Sequence, residues 1–538
     1  MKSMFSYGVS SGKYYVGGHC SLQLTILVCL LPRFFASEAP VVKIDSGRVA
    51  GERIRVGGTE LDAYLGIPYA EPPTGDLRFR KPKPVTPWTG IYNASKKPKP
   101  CRQPSVPLVG SLSLNYSDSS EDCLYLNVWT PKPVCPSSGD CERKLPVVVF
   151  IHGGGFQWGD SALFFHDPAN FVALEGVVFV TFNHRVGLYG FLSLGTPDLP
   201  SNAGLWDQNL VLKWVRNNVA AFGGDPDDVT VDGHSSGAIS AAIHAGSPHS
   251  KGLFKRLILQ SGAPLSLVVG QYFRGGKGRL INIAGTLGCY DPKMTLDEQL
   301  LDAIGCLRRL TPAEMVHKLE KLDFQQQIFS PVDNDELIPF SVSSPEPWHK
   351  LDVKEVLVGT TENEAAVFFH VALMMFPEYT ELLTTQYRTL ATVVISQTFG
   401  ASLMNARGIV NAYFGDGEKE LEYEEIRDTL SRMLSDAMFN CPAKLFADMI
   451  SRNGVKTYRY LFAYKPSHSF FPQWMGVAHQ EDIMYTLGSL PFLMDKSRYT
   501  EPFGSFGKRL LATLDYTPEE EGFMKEVVSA WASFVRTG

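Results

Sequence analysis

The stretch of residues 228–245, DVTVDGHSSGAISAAIHA, decides the reading of this chain. Its first six residues read as a strand and its last eight as a helix, with Gly233-His234-Ser235-Ser236-Gly237 at the junction. A strand that turns sharply into a helix can lift one side chain clear of the backbone, provided the residues two before and two after it are small enough for the two elements to approach. Gly233 and Gly237 meet that condition, so Ser235 is the expected nucleophile. The same pattern in an ordinary loop would carry no such meaning; the strand and helix around it supply the meaning.

Outward from this junction, β-branched apolar runs recur: PVVVFIH (146–152), GVVFVTF (176–182), RLILQSG (256–262), KEVLVGT (354–360) and KTYRYLFAY (456–464). Helical patterns such as DQNLVLKWVRNNVAAF (207–222) separate them. Continuous apolar strands alternating with helices predict an α/β chain with a mostly parallel sheet covered on both faces. Residues 265–350 and 370–455 are expected to be long, mostly helical insertions that wall the space above the sheet. Ligands of such sheets lie beyond the carboxyl ends of the strands. One of those ends carries His152-Gly153-Gly154-Gly155-Phe156, whose successive glycines allow backbone N–H groups to converge on one spot, as an oxyanion requires. No Lys-Ser/Thr follows, which argues against a phosphate loop. The two motifs together imply acyl transfer.

The 538 residues carry 50 Lys+Arg and 56 Asp+Glu, a net charge of −6, with 44% hydrophobic and 20% charged residues. That balance leaves no basic footprint for nucleic acid and far too much apolar content for a disordered chain. Leu22–Leu31 (LQLTILVCLL), with Lys2 and Lys13 before it and Ala36 and Ser37 after it, reads as the core of a secretory signal, too short to span a bilayer. Residues 1–37 are therefore expected to be a removable leader and 38–538 a single domain, secreted and without a membrane span. Secretion implies paired cysteines. Seven remain after the leader, and the economical pairing is local: Cys101 with Cys123, Cys135 with Cys141, and Cys289 with Cys306, leaving Cys441 over. Asn93 and Asn115 head Asn-x-Ser sequons and are candidate glycosylation sites. No metal site and no cofactor is expected.

FGGDPDDVTVDGHSSG (222–237) and EDCLYLNVWTP (121–131) resemble the two signatures of the type-B carboxylesterase/cholinesterase family of α/β-hydrolases. The resemblance extends through GIPYAEPPTGDLRFRKP (66–82) and NHRVGLYGFL (183–192) to about residue 488. It implies an acid at Glu364, in VLVGTTENEAAVFF, and a base at His479, in GVAHQEDIMYTLG. Rivals for the acid are Asp333, Asp335 and Glu362; the nearest rival for the base is His468. The implied mechanism has Ser235 attack an ester carbonyl while His479 takes its proton and Glu364 orients the imidazole. Backbone N–H groups of Gly154, Gly155 and Ser236 receive the oxyanion, and Gly153 serves the turn. The Cys101–Cys123 and Cys289–Cys306 pairs match the family's disulfides, and Arg78–Glu121 and Arg185–Asp207 match its internal ion pairs.

The sequence departs from the cholinesterase branch at the groups that hold a cation. Cholinesterases carry a Trp shortly before the EDCLYLN signature, where this chain reads SLSLNYSDSS, and an acidic residue before the nucleophile, where it has His234. Their Trp after LQSG is also missing, because the segment reads APLSLVV. The expected activity is thus hydrolysis of apolar or xenobiotic carboxylic esters, small molecules, through an acyl-enzyme. The alternatives are a cholinesterase and an inactive relative that serves adhesion or binding. The chain stops at WASFVRTG, earlier than is usual in the family, and so is read as shortened at its C-terminus.

Overall fold

The structure, a computed structural model, describes residues 39–538 apart from 110–111, 132–143, 195, 197, 268–276, 292, 294, 320–328, 343, 418–419, 468, 470 and 496–513. The expected leader, the Cys135–Cys141 pair and His468 lie outside the described residues. The residues from Pro40 to Gly538 form one compact unit.

Nine strands form its central sheet: β1 (Glu52–Val56), β2 (Thr59–Pro68), β3 (Tyr125–Pro131), β4 (Leu145–Ile151), β5 (Val178–Phe182), β6 (Gly224–His234), β7 (Arg256–Gln260), β8 (Glu355–Thr361) and β9 (Lys456–Phe462). Their order is β9-β8-β7-β6-β4-β5-β3-β2-β1. From β5 to β9 every pairing is parallel, whereas β3, β2 and β1 add to the edge antiparallel. The parallel strands are those expected from the apolar runs. The antiparallel edge adds to that expectation; β1 and the first half of β2 mix Arg, Glu and Asp with their apolar residues.

Successive residues of β4 serve opposite cores. Val147, Val149 and Ile151 pack into one layer together with Val215 of helix α1 (Ala203–Asn218) and Ile243 of helix α2 (Ser236–Gly246). Val148 and Phe150 pack into the other, with Val528 and Trp531 of the C-terminal helix Pro518–Thr537. Both faces of the strand are therefore apolar, as a sheet covered on both sides requires.

Between β7 and β8 stand helices Lys277–Thr286, Leu296–Arg309 and Pro312–Leu319, followed by residues 329–342 without a helix. Between β8 and β9 stand α3 (Ala366–Met375), α4 (Glu378–Phe399), α5 (Leu403–Phe414), α6 (Tyr423–Ser435) and, after a π turn at Asp436–Asn440, α7 (Cys441–Arg452). Disulfides join Cys101 to Cys123 and Cys289 to Cys306, while Cys441 is free and exposed. Two buried ion pairs are bidentate. Arg78 donates to both carboxylate oxygens of Glu121 at 2.6 Å, and Arg185 donates to those of Asp207 at 2.8 and 2.6 Å. Burying such charges is tolerable only when each finds its partner.

Candidate active site

Ser235 stands between β6 and α2 with φ +56° and ψ −123°, a region where a side chain is strained. Close packing around it maintains that conformation. A Cβ on Gly233 would run into the Gly237 carbonyl, and one on Gly237 into the Ile151 carbonyl, so any larger residue there would push strand and helix apart. The Ser235 N–H is held by the Gln260 carbonyl at 2.8 Å, and its carbonyl accepts from the Ile239 N–H at 3.1 Å. The sequence pattern and the local structure agree here because the turn needs only nearby residues.

The glycine loop after β4 lies against this elbow. A Cβ on Gly153 would meet Ser235 Cβ at 2.8 Å and His234 Nδ1 at 2.9 Å. Phe156 N–H donates to Ser236 Oγ at 3.2 Å and locks loop to helix. Gly154 and Gly155 both have positive φ, +118° and +61°. Their N–H groups have no protein acceptor among the described residues, and the Ser236 N–H opens helix α2, where the first amide donors have no partner within the helix. Three candidate donors for a developing oxyanion thus cluster beside the serine.

Glu364 and His479, 115 residues apart, are joined by a hydrogen bond of 2.5 Å from Nδ1 to Oε2. The other Glu364 oxygen accepts from the Thr361 N–H at 2.8 Å, and the carboxylate is fully buried. The loops that carry the two residues are tied by Asn363: its N–H donates to the Val477 carbonyl at 2.9 Å and its Oδ1 accepts from the Val477 N–H at 3.0 Å. Gly476, at φ +60°, gives room for that side chain. Sequence reading missed Asn363, an amide between two glutamates with no local signal of its role. The other acids serve elsewhere. Asp335 caps Ile338 and binds Asn202, Asp333 caps Val342, and Glu362 is exposed.

The His479 ring lies beside that of His234, the residue before Ser235, with centroids 4.9 Å apart. Phe368 of α3 and Phe439 of the π turn stack on each other and lie 5.1 and 5.0 Å from the same imidazole. Burial, and then the neighbouring His479 and His166 imidazoles, hold His234 well below the usual histidine range, so it is neutral. This arrangement has the parts for nucleophilic attack at a carbonyl: a partly exposed serine, a carboxylate-oriented imidazole and, in the adjoining loop and helix start, amide donors without a protein acceptor among the described residues.

The sequence pattern of the Carboxylesterase family matches residues 38–538. The chain is also 33% identical to "Acetylcholinesterase-1" of Trittame loki over 98% of its own length and 89% of that protein's. With the match extending over nearly the whole chain, and with a mostly parallel nine-stranded sheet flanked by helices beneath the site, this protein belongs to the carboxylesterase family of α/β-hydrolases.

Proposed function

We propose that the chain is a serine hydrolase of neutral, apolar carboxylic esters, with Ser235 as nucleophile, His479 as general base and acid, and Glu364 as the group that orients and stabilises the imidazole. The observation that carries this reading is the 2.5 Å His479–Glu364 hydrogen bond beside the strained Ser235 elbow. Ser235 attacks the ester carbonyl, its proton passes to His479, and the N–H groups of Gly154, Gly155 and Ser236 hold the oxyanion. His479 then protonates the leaving alcohol, and water repeats the sequence on the acyl-enzyme. The stacked Phe368 and Phe439 favour an apolar group beside His479.

The acetylcholinesterase relative supports a second reading, a choline esterase. Against it stands the neutral His234 where an acid would attract a quaternary ammonium, together with the absence of a Trp between Trp88 and Trp129. The disulfides fit passage through an oxidising compartment, and exposed Asn93 and Asn115 are available to glycosylation. Turnover of p-nitrophenyl esters of increasing acyl length, with a choline ester alongside, tests the assignment. Neutral esters are expected to turn over, and Ser235→Ala is expected to abolish turnover in a folded protein. Retained turnover in that variant overturns the nucleophile, preference for the choline ester overturns the substrate class, and no turnover or organophosphate labelling of the folded wild type favours a binding protein.

A further inference from the structure

The glycine loop that carries two of the candidate oxyanion donors is folded back on itself and held from outside by one side chain. His152 Nδ1 donates to the Gly153 carbonyl at 2.8 Å, and the Gly154 carbonyl accepts from the Gln157 and Trp158 N–H groups at 2.9 and 3.2 Å. A Cβ on Gly154 would strike the Trp158 carbonyl, and one on Gly159 would strike the Gly153 carbonyl and the His152 ring. The far end of the loop therefore lies directly against its start. Gly159 is buried at φ +122°, and Gln103 takes both of its backbone polar groups. Gln103 Oε1 accepts from the Gly159 N–H at 2.7 Å, and Gln103 Nε2 donates to the Gly159 carbonyl at 3.0 Å.

Gln103 is itself buried and fixed. Its Nε2 also donates to the Cys101 carbonyl at 2.9 Å, and Cys101 is joined to Cys123 by a disulfide. Both N–H groups of the amide are thus used, and its orientation follows from them: turned over, it would set its oxygen against two carbonyls and its donors against an N–H. Asn183 makes a second tie between the same two segments. Its Oδ1 accepts from the Ser161 N–H at 2.8 Å, and its Nδ2 donates to the Lys99 carbonyl at 2.8 Å. Residues 99–103 are therefore a base on which residues 159–161 rest, and the mechanism proposed above uses none of that base.

We propose that Gln103 is the positioning residue for the oxyanion donors: by clamping Gly159 it keeps the loop folded so that Gly154 and Gly155 present their N–H groups beside Ser235. The kinetic consequence rests on the serine-esterase reading; the clamp does not. The Gly154 and Gly155 amides have no acceptor among the described residues, so the backbone of the loop alone fixes their direction. Donors held in place before the reaction need no rearrangement when the oxyanion forms. Without the Gln103 amide, the Gly159 N–H, the Gly159 carbonyl and the Cys101 carbonyl lose their partner and turn to find others. Gly153 moves with them, because Gly159 packs on its carbonyl. The loss falls on the transition state, which carries the oxyanion, and not on the neutral ester.

The experiment uses Gln103→Met, which keeps the length of the side chain and removes all three hydrogen bonds, and Gln103→Glu, which keeps an acceptor for the Gly159 N–H. In an activity-independent arm, hydrogen–deuterium exchange of a peptide covering residues 152–161 is expected to be faster in Gln103→Met and intermediate in Gln103→Glu, with the central strands exchanging as in wild type. Exchange at the wild-type rate in both variants overturns the clamp. In the kinetic arm, Gln103→Met is expected to lower kcat on a p-nitrophenyl ester about 10- to 100-fold, with KM within about twofold of wild type. A trifluoromethyl ketone separates positioning from folding: Ser235 Oγ bonds to its carbonyl carbon, the serine proton passes to His479, and the ketone oxygen becomes an oxyanion. Its affinity is expected to fall by the same factor as kcat, while the matching alcohol, which forms no oxyanion, binds as to wild type. Equal loss for ketone and alcohol, or a lowered melting temperature with kcat unchanged, places Gln103 in folding and overturns the proposal. If Gln103→Met does not fold, Gln103→Glu decides by the same measurements, with a smaller loss expected. Absence of wild-type turnover sinks the esterase reading and the kinetic consequence with it, while the exchange rates still decide the clamp.

Discussion

A methyl group on Gly153 would meet Ser235 Cβ at 2.8 Å and His234 Nδ1 at 2.9 Å, both of them atoms beside the proposed reacting centre. Gly153 thus does more than turn the chain: its hydrogen lets the loop lie flush on the elbow. Gly153→Ala is expected to lower kcat about 100-fold with the fold intact, because it displaces the serine from the amide donors. Stopped-flow or steady-state kinetics on a neutral ester, with melting temperature as the control, checks this; unchanged kcat would show that loop and elbow can separate at no cost. Which glycines are needed was legible in the sequence. The roles of Gly154 and Gly155 came from the family resemblance; that Gly153 lies against Ser235 was not legible, because it depends on the meeting of two elements that are distant in the chain.

At the scale of elements, the site is an agreement between two loops, one after β8 and one after β9. The strands themselves pair in parallel over Glu355–Thr361 and Lys456–Phe462, so their carboxyl ends arrive together. Asn363 then closes the gap between the loops. Asn363→Ala leaves the buried Val477 N–H without its acceptor, a loss of about 1–3 kcal/mol. It is expected to lower kcat more than it raises KM, since it loosens the orientation of His479 without removing a group that touches substrate. An effect on melting temperature alone would place Asn363 in folding and not in positioning.

At the scale of the whole molecule, unusual imidazoles dominate the acid limb of stability. Burial holds His152 down at about 4 and both His166 and His244 at about 3, with His184 and His234 also well below the usual range. These five are neutral in the fold and charged in the unfolded chain below about pH 6.5, so each withdraws stability as pH falls toward its folded value. Between about pH 4 and 7 the raised carboxyls Asp160, Asp232, Asp482 and Glu481 oppose them, because protons held in the fold stabilise it as pH falls. Below about pH 4 the carboxyls are protonated in both states and that opposition ends. Acid unfolding is therefore expected to set in steeply between about pH 4 and 3, and His166→Gln is expected to move its midpoint to lower pH. Circular dichroism against pH checks it; an unmoved midpoint would mean that other groups carry the acid transition.

What the sequence by itself determined is what short segments decide locally: the strand, turn and helix around Ser235, the glycine loop, and the parallel strands. The choice of Glu364 and His479 among rival acids and histidines came from family resemblance, because nothing local distinguishes a carboxylate that will meet a histidine 115 residues away. Only the tertiary structure decided which groups are buried and beside what. Asp232, Asp482, Asn363 and the buried histidines are ordinary polar letters in the chain. Their protonation and partners come from desolvation and charge in the assembled core, where the segments that meet are far apart in sequence.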